Sequence, residues 1–413
     1  MVKKIICPNG VRIVHEKLPH VRSAAIGIWV KAGSLHEDAT EAGLAHFIEH
    51  MLFKGTNERS AKDIAEQFDL IGGDINAFTS KEMTCYYTTV LGHHAKRAVA
   101  VLADMFLHST FDQDDIEKEK MVIYEEISSV EDTPEEDVDE KLWSSMFRGH
   151  PIGRPVGGEE GTIATFTKKK IKNFLNAHYI PENVVISIAG NYDDDLLQTV
   201  IQLFGSYDVE KRIKVHDTSE FPVFHSSKIC NVKDIEQAHF CIGYPGLTIQ
   251  DPQLHDLILL DSIIGGTMSS RLFQEIREER GLAYSVYSYY SSYESTGAFV
   301  IYGGTSPERL PEAMKTAEDI LRSIADEGIT EKELFNAKEQ LKGSFLLGLE
   351  STEAIMHRNG KQELILREHK SIDEVVGLIE AVTVESVNAL ARKLLGQDRA
   401  VAILGPQAVR SSD

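Results

Sequence analysis

Glu41-Ala-Gly-Leu-Ala-His-Phe-Ile-Glu-His-Met-Leu-Phe53 carries its apolar residues, Leu44, Phe47, Ile48, Met51 and Leu52, at helical rather than strand spacing. The stretch reads as a buried helix. His46 and His50 stand four apart on it, so both imidazoles leave one face a turn apart, and Glu49 lies three residues after His46 on that face. Two neutral imidazoles and a nearby carboxylate suit two ligands and a general base of a catalytic zinc. The competing reading is two satisfied histidines on an ordinary core helix, which a short motif alone does not exclude.

Working outward, the elements before and after this helix set the fold class. Lys3–Cys7 and Val11–Glu16 are β-prone runs around the turn Pro8-Asn9-Gly10, and Ala24–Ala32 alternates Ile26, Ile28 and Val30 with smaller residues. Ser60-Ala-Lys-Asp63 opens a second helix as a capping box, closed by Gly72-Gly73. Two strands, Asp74–Ser80 and Thr84–Val90, precede helices over Ala95–Leu107, Asp114–Val130 and Val138–Phe147, with the acidic run Glu131–Glu140 expected as a loop between the last two. A helix over Lys168–His178, a strand over Val184–Ala189 and a helix near Asp194–Phe204 complete this half.

Periodicity is lost from about Val209 to Lys228, and the order of elements then repeats. His239–Tyr244 matches the strand before the His46 helix, and Pro252–Ile264 matches that helix, with Leu254-His-Asp-Leu where the histidine motif would stand. Ser269–Arg280 matches the helix from Ser60, and Ala283–Ser292 and Gly297–Gly304 match the strand pair. A long helix over Pro307–Ala325, with Ser306 placed to cap it, then helices to about Leu395 and a strand over Ala400–Leu404, finish the chain. The fold class is α+β: two similar domains, 1–208 with the metal motif and 229–413 without it, joined by a linker over 209–228. Each is expected to be a mainly antiparallel sheet with helices packed on one face.

Composition narrows the function. The chain has 413 residues, enough for about two to three ordinary domains. Its formal charge of -21 argues against nucleic acid as a partner, since phosphate binding relies on basic surface. Cys7, Cys85, Cys230 and Cys241 show no C-x-x-C spacing, and no apolar run reaches membrane-spanning length. The expectation is a cytoplasmic protein with reduced thiols and no membrane partner.

Two histidines leave a catalytic zinc one protein ligand short. The helix over Asp114–Val130 offers Glu119, Glu125 and Glu126, and chemistry alone does not separate Glu125 from Glu126 as the third ligand. At this point the chain resembles a known family. His46-Phe-Ile-Glu-His50, followed by Glu119-Lys-Met-Val-Ile-Tyr-Glu-Glu126, is similar to the inverted-zincin metallopeptidases: pitrilysin, insulin-degrading enzyme and mitochondrial processing peptidase. Gly43-Leu-Ala-His46, Phe53-Lys-Gly-Thr56, Asn76-Ala-Phe-Thr-Ser80 and Ser269-Ser-Arg-Leu-Phe-Gln-Glu275 extend the resemblance over nearly the whole chain. It is most like the bacterial, processing-peptidase-like homodimers.

The resemblance implies a zinc endopeptidase with one Zn²⁺ per subunit, held by His46, His50 and Glu126. Glu119 would orient a ligand histidine, and Glu49 would activate water. It makes Arg277 and Tyr284 substrate-holding groups that stabilise the developing oxyanion. Asn76, Ala77, Phe78 and Thr79 become an edge strand to which an extended peptide adds. It further implies a homodimer enclosing a chamber, with Arg277 and Tyr284 of one subunit completing the site of the other, and unstructured peptides as substrates. Glu131, Glu135, Glu136 and Asp137 are candidates for favouring basic peptides. The alternative within the same superfamily is a noncatalytic core or scaffold subunit.

Overall fold

The computed structural model describes residues 2–213 and 221–406; residues 214–220, within the expected linker, lie outside them. In chain order, β1 (Lys3–Ile6), β2 (Arg12–Lys17) and β3 (Ser23–Val30) precede α1 (Leu44–Met51) and α2 (Ala61–Leu70). β4 (Asp74–Thr79) and β5 (Thr84–Leu91) lead to α3 (Ala95–His108), α4 (Gln113–Asp132), α5 (Pro134–Met146), the short α6 (Glu160–Ile163) and α7 (Lys168–His178). β6 (Val184–Gly190) and α8 (Asp195–Phe204) follow. After residue 220 come β7 (Ser227–Val232), β8 (Ala238–Pro245), α9 (Leu254–Asp261), β9 (Ala283–Ser292) and β10 (Gly297–Thr305). The chain ends through α10 (Leu310–Glu327), α11 (Glu331–Gly348), α12 (Thr352–Lys361), α13 (Ile372–Ala381), α14 (Val384–Leu395) and β11 (Ala400–Gly405).

Two sheets result, of order β1-β2-β6-β3-β5-β4 and β7-β11-β8-β10-β9. Among the described residues the parallel pairs are β2 with β6 and β11 with β7, so both sheets are mainly antiparallel and the class is α+β. In the first sheet Ile26, Ile28 and Val30 of β3 face a core shared with Phe47, Ile48 and Met51 of α1 and with Val99 and Leu102 of α3. In the second, Phe240 and Ile242 of β8 face Leu257 and Leu260 of α9 and Ala313 and Ala317 of α10. Strict alternation along β3 and β8 is what puts one set of side chains into each core.

The opposite face of each sheet is covered as well, by a single helix. α12 lies on β3 and β6, and α5 lies on β8 and β11. The two fits share a device: a Cβ on Gly27 would stand 2.5 Å from Met356 Sδ, and one on Gly243 would stand 2.5 Å from Met146 Sδ. A side chain at either position would force the methionine to shift, so glycine eases the close approach of helix and strand. Both covering helices come from the other half of the chain. One compact unit is residues 2–128, 154–213 and 347–371, and the other is 129–153, 221–346 and 372–406.

Several local expectations need correcting. The acidic run is helix, not loop: only Thr133 separates α4 from α5, Pro134 takes the first helical position, and Glu135, Glu136 and Asp137 occupy the first turn. Acids there complement the helix dipole, so the charges favour helix at this point. β7 lies where no strand is expected, because its mixture of half-buried and exposed positions shows no alternation. Ser306 makes no side-chain cap; a 3-10 turn, Pro307–Arg309, begins that helix instead. The capping box at Ser60 forms, with Asp63 N–H donating to Ser60 Oγ and Ser60 N–H to Asp63 Oδ2.

Candidate metal centre

α1 is fixed at its start by an unexpected group. The buried Glu37 carboxylate accepts the Gly43 and Ala45 N–H groups at 2.9 and 2.7 Å, satisfying donors that the first turn leaves unpaired. Burial dominates and raises its pKa to about 8, against those two hydrogen bonds. With its entry pinned and Leu44, Phe47, Ile48 and Met51 in the core, the helix turns His46, Glu49 and His50 to its half-buried side.

α4 supplies the acids. His46 Nε2 and His50 Nε2 lie 3.2 Å apart, and Glu126 Oε2 lies 3.9 and 3.6 Å from them. Three ligand atoms within 4.8 Å of one another meet here. Around a tetrahedral zinc with bonds of about 2.0–2.1 Å, neighbouring ligand atoms stand roughly 3.3 Å apart. The donor set and its spacing therefore fit such an ion with only a small inward movement of Glu126. Glu125, its neighbour, is exposed and outside the group.

Glu119 sits two turns before Glu126 and is buried. Its Oε1 accepts from His50 Nδ1 at 2.8 Å and its Oε2 meets Lys54 Nζ at 2.5 Å. A proton on Nδ1 leaves the Nε2 lone pair free for a metal, which is the usual service of a carboxylate behind a ligand histidine. Burial opposes the Glu119 charge, but hydrogen bonds from His50 and Lys54 outweigh it and its pKa falls. Burial likewise opposes charge on His50, yet the Glu119 hydrogen bond and the charges of Glu126, Glu119 and Glu49 raise its pKa. His46 has no such partner: burial, then the neighbouring His50, holds it down at about 4, neutral as a ligand must be. Burial raises the pKa of Glu49, partly countered by a hydrogen bond from Thr79. A carboxyl raised in this way is better suited to accept a proton near neutral pH.

β4 is the end strand of its sheet, paired only with β5. Asn76 Oδ1 accepts the Ala77 N–H at 2.8 Å, and Phe78 packs edge-on against Trp29 with ring centroids 5.7 Å apart. Thr79 Oγ1 donates to Glu49 Oε2 at 2.5 Å. Arg277 and Tyr284 belong to the other compact unit, where they meet each other: the guanidinium carbon stands 4.6 Å from the Tyr284 ring centroid and 4.7 Å from that of Phe273. Tyr284 is 79% exposed. Of the four acids considered for basic peptides, Glu131 and Glu136 are exposed, while Glu135 and Asp137 are engaged within their own unit. Glu135 accepts from Tyr287 at 2.7 Å, and Asp137 is buried against Lys141 and Lys233.

The residues missed by sequence reasoning are Glu37, Lys54 and the Thr79 hydroxyl as a partner of Glu49. Lys54 had a signal in its spacing, four residues after His50, although α1 itself ends at Met51. Glu37 had none, because its partners are backbone groups of a helix not yet begun.

A family model described as Insulinase (Peptidase family M16) matches residues 12–160. One described as Peptidase M16 inactive domain matches residues 165–341. An uncharacterized zinc protease of Bacillus subtilis, YmxG, is 49% identical over 98% of both chains. The chain belongs to peptidase family M16. Other M16 relatives include an uncharacterized zinc protease of Mycobacterium tuberculosis, 42% identical over 99% of this chain and 94% of its own. Solved structures share the M16 fold. A protease from Helicobacter pylori superposes with a TM-score of 0.91 at 20% identity, covering 98% of this chain and 99% of that one. A peptidase M16 inactive domain from Pseudomonas fluorescens gives 0.90 at 23%, covering 98% of each. The two M16 models divide the chain in the same sense as the motif, with His46, Glu49, His50 and Glu126 all inside the first.

Proposed function

We propose that the chain is a zinc-dependent endopeptidase acting on unstructured peptides or flexible segments. The observation that carries the reading is the convergence of His46 Nε2, His50 Nε2 and Glu126 Oε2 within ligand distance, with Glu49 presented from the same helix. Names of close relatives as zinc proteases support the metal. His46, His50 and Glu126 would hold the zinc, which would supply a Lewis acid for the scissile carbonyl and for water near neutral pH. Glu49 takes the proton from the attacking water and delivers it to the leaving amine. Glu119 holds His50 in the tautomer that binds, and Lys54 holds Glu119. Tyr284 and Arg277 donate to the carbonyl oxygen as charge develops on it.

The free edge of β4 receives the peptide as an added strand, so recognition rests on backbone rather than side chains. Because the motif stands in the first half and the Arg277–Tyr284 pair in the second, a homodimer that encloses a chamber brings the pair of one subunit to the metal centre of the other. The exposed Tyr284 ring suits such a role. Four free cysteines fit a reducing cytoplasm, and among the described residues no helix is long and apolar enough to cross a membrane.

The test is cleavage of an unstructured peptide with and without a chelator, by wild type and Glu49→Gln, with zinc content measured in both. Chelator-sensitive cleavage that falls about 10²–10⁴-fold in Glu49→Gln at unchanged zinc content is expected. Absent or chelator-insensitive cleavage would instead favour the noncatalytic scaffold reading.

A further inference from the structure

The hairpin between β4 and β5 fixes which backbone groups of β4 are free. Ser80 N–H donates to Met83 O at 2.8 Å, so that pair is hydrogen-bonded across the ladder. Hydrogen-bonded pairs alternate along antiparallel strands, and the register pairs Phe78 with Cys85 and Asn76 with Tyr87. Those are the bonded positions. Ile75, Ala77 and Thr79 therefore turn their N–H and C=O groups to the open side of the sheet. The Ala77 N–H confirms this, since it is taken by the Asn76 side chain rather than by β5.

Thr79 thus faces two ways at once. Its backbone faces the place of an incoming strand, while its hydroxyl donates to Glu49 Oε2 at 2.5 Å and lies 3.3 Å from Thr84 Oγ1. That bond is the only side-chain hydrogen bond of Glu49 among the described residues. With Oε2 occupied, Oε1 is the oxygen left to take a proton.

The second unit carries the same link without the histidine motif. The run of buried and half-buried positions along α1 repeats along α9 when His46 is set against Ile258, Glu49 against Asp261 and His50 against Ser262. This register replaces Leu254-His-Asp-Leu as the counterpart of the histidine motif. Asp261 Oδ1 accepts from Ser288 Oγ at 2.6 Å, and Ser288 lies on β9, the end strand of its own sheet. A hydroxyl on the end strand clasping a carboxylate on the helix is therefore a feature of the fold. In the first unit alone it falls on the residue read here as the general base.

We propose that Thr79 is a positioning residue that couples docking of an extended peptide on β4 to the orientation of Glu49. This rests on the peptidase reading above. A peptide pairing with Ala77 and Thr79 fixes the Thr79 backbone, and the hydroxyl passes that constraint to one oxygen of Glu49. A chain not held on β4 leaves the clasp looser, so productive geometry and correct docking arise together.

The experiment compares Thr79→Val, Thr79→Ser and, as a control on the clasp itself, Ser288→Ala, each in the full-length zinc-loaded protein. Val keeps the branched shape suited to a strand and removes only the donor. Expected is a fall in kcat of about 10–100-fold for Thr79→Val, the range typical of lost outer-shell hydrogen bonds. KM and zinc content should stay within about twofold, as should peptide affinity measured by fluorescence anisotropy on a Glu49→Gln background, since the backbone edge is untouched. Thr79→Ser should recover most of the rate, and Ser288→Ala should leave kcat near wild type. An unchanged kcat in Thr79→Val, a serine variant as slow as the valine one, or an equal loss in Ser288→Ala would overturn the proposal. Glu49→Gln in the same assay keeps the two readings apart: if it cleaves as fast as wild type, the peptidase mechanism fails, whatever Thr79 does.

Discussion

Replacing Glu363 by glutamine removes one charge from the interior of the unit that carries the histidine motif and keeps the size of the side chain. Glu363 is fully buried beside α12. Its Oε1 meets Lys4 Nζ at 2.6 Å and Arg12 Nη1 at 3.3 Å, and its Oε2 meets His369 Nε2 at 2.9 Å. Arg12 also donates to the Glu363 and Glu182 carbonyls at 3.0 and 3.2 Å. Burial opposes the carboxylate charge, but the His369 and Lys4 hydrogen bonds and the charges of Lys4 and Arg12 outweigh it and hold the pKa at about 2, against an ordinary 4.5. That difference corresponds to about 3 kcal/mol of stability. Loss of about the same size is expected when one partner of a buried pair is removed, because Arg12, itself buried, is left without a counter-charge.

The sign fixes the pH window. A depressed folded-state value gives stability that is fully present above pH 4.5 and is lost as pH falls toward 2. Wild type and Glu363→Gln should therefore differ by about 3 kcal/mol at pH 7 and by roughly 1 kcal/mol at pH 3. The chain has two tryptophans, Trp29 in this unit and Trp143 in the other. In a Trp143→Phe background, urea unfolding read by Trp29 fluorescence reports on this unit. Trp29 is a good reporter because its ring packs 5.5 Å from that of His357 on α12. Equal urea midpoints at pH 7, or a gap that does not shrink at low pH, would refute the reasoning.

Two further predictions concern the metal centre. Glu126→Gln should lose zinc after dialysis, whereas Glu125→Gln should retain about one ion per chain by elemental analysis; equal contents would remove Glu126 as the third ligand. Mixing Glu49→Gln with Tyr284→Phe, each slow alone, should restore activity on subunit exchange, because one pairing carries both intact halves, and no recovery after exchange is demonstrated by mass would count against sites shared between subunits.

Most of the sheet and its helical layer was legible because alternation along β3 and helical spacing along α1 are local signals that point to one core. The two histidines of α1 that meet Glu126 were legible for the same reason. Glu126 was harder, since it lies on α4 far along the chain and shares its local chemistry with Glu125; what separates them is which side of α4 faces α1. The acidic run was misread because charge suggested solvent, whereas the same charges at positions 135–137 stabilise a helix start. Covering of the sheets by α5 and α12 leaves no local trace: a glycine at 27 or 243 reads only as a weak strand position until a methionine from the other half of the chain is found against it.

That exchange of covering helices bears on how the protein is made. The first sheet is complete in the nascent chain once β6 has emerged, yet one of its faces stays bare until residues 347–371 are synthesised. Trp29, Gly27 and the buried hydroxyl of Ser187, which donates to the Met356 carbonyl, wait for that late segment. A ribosome-bound fragment that ends before residue 347 therefore holds the histidine motif on a sheet with one face bare.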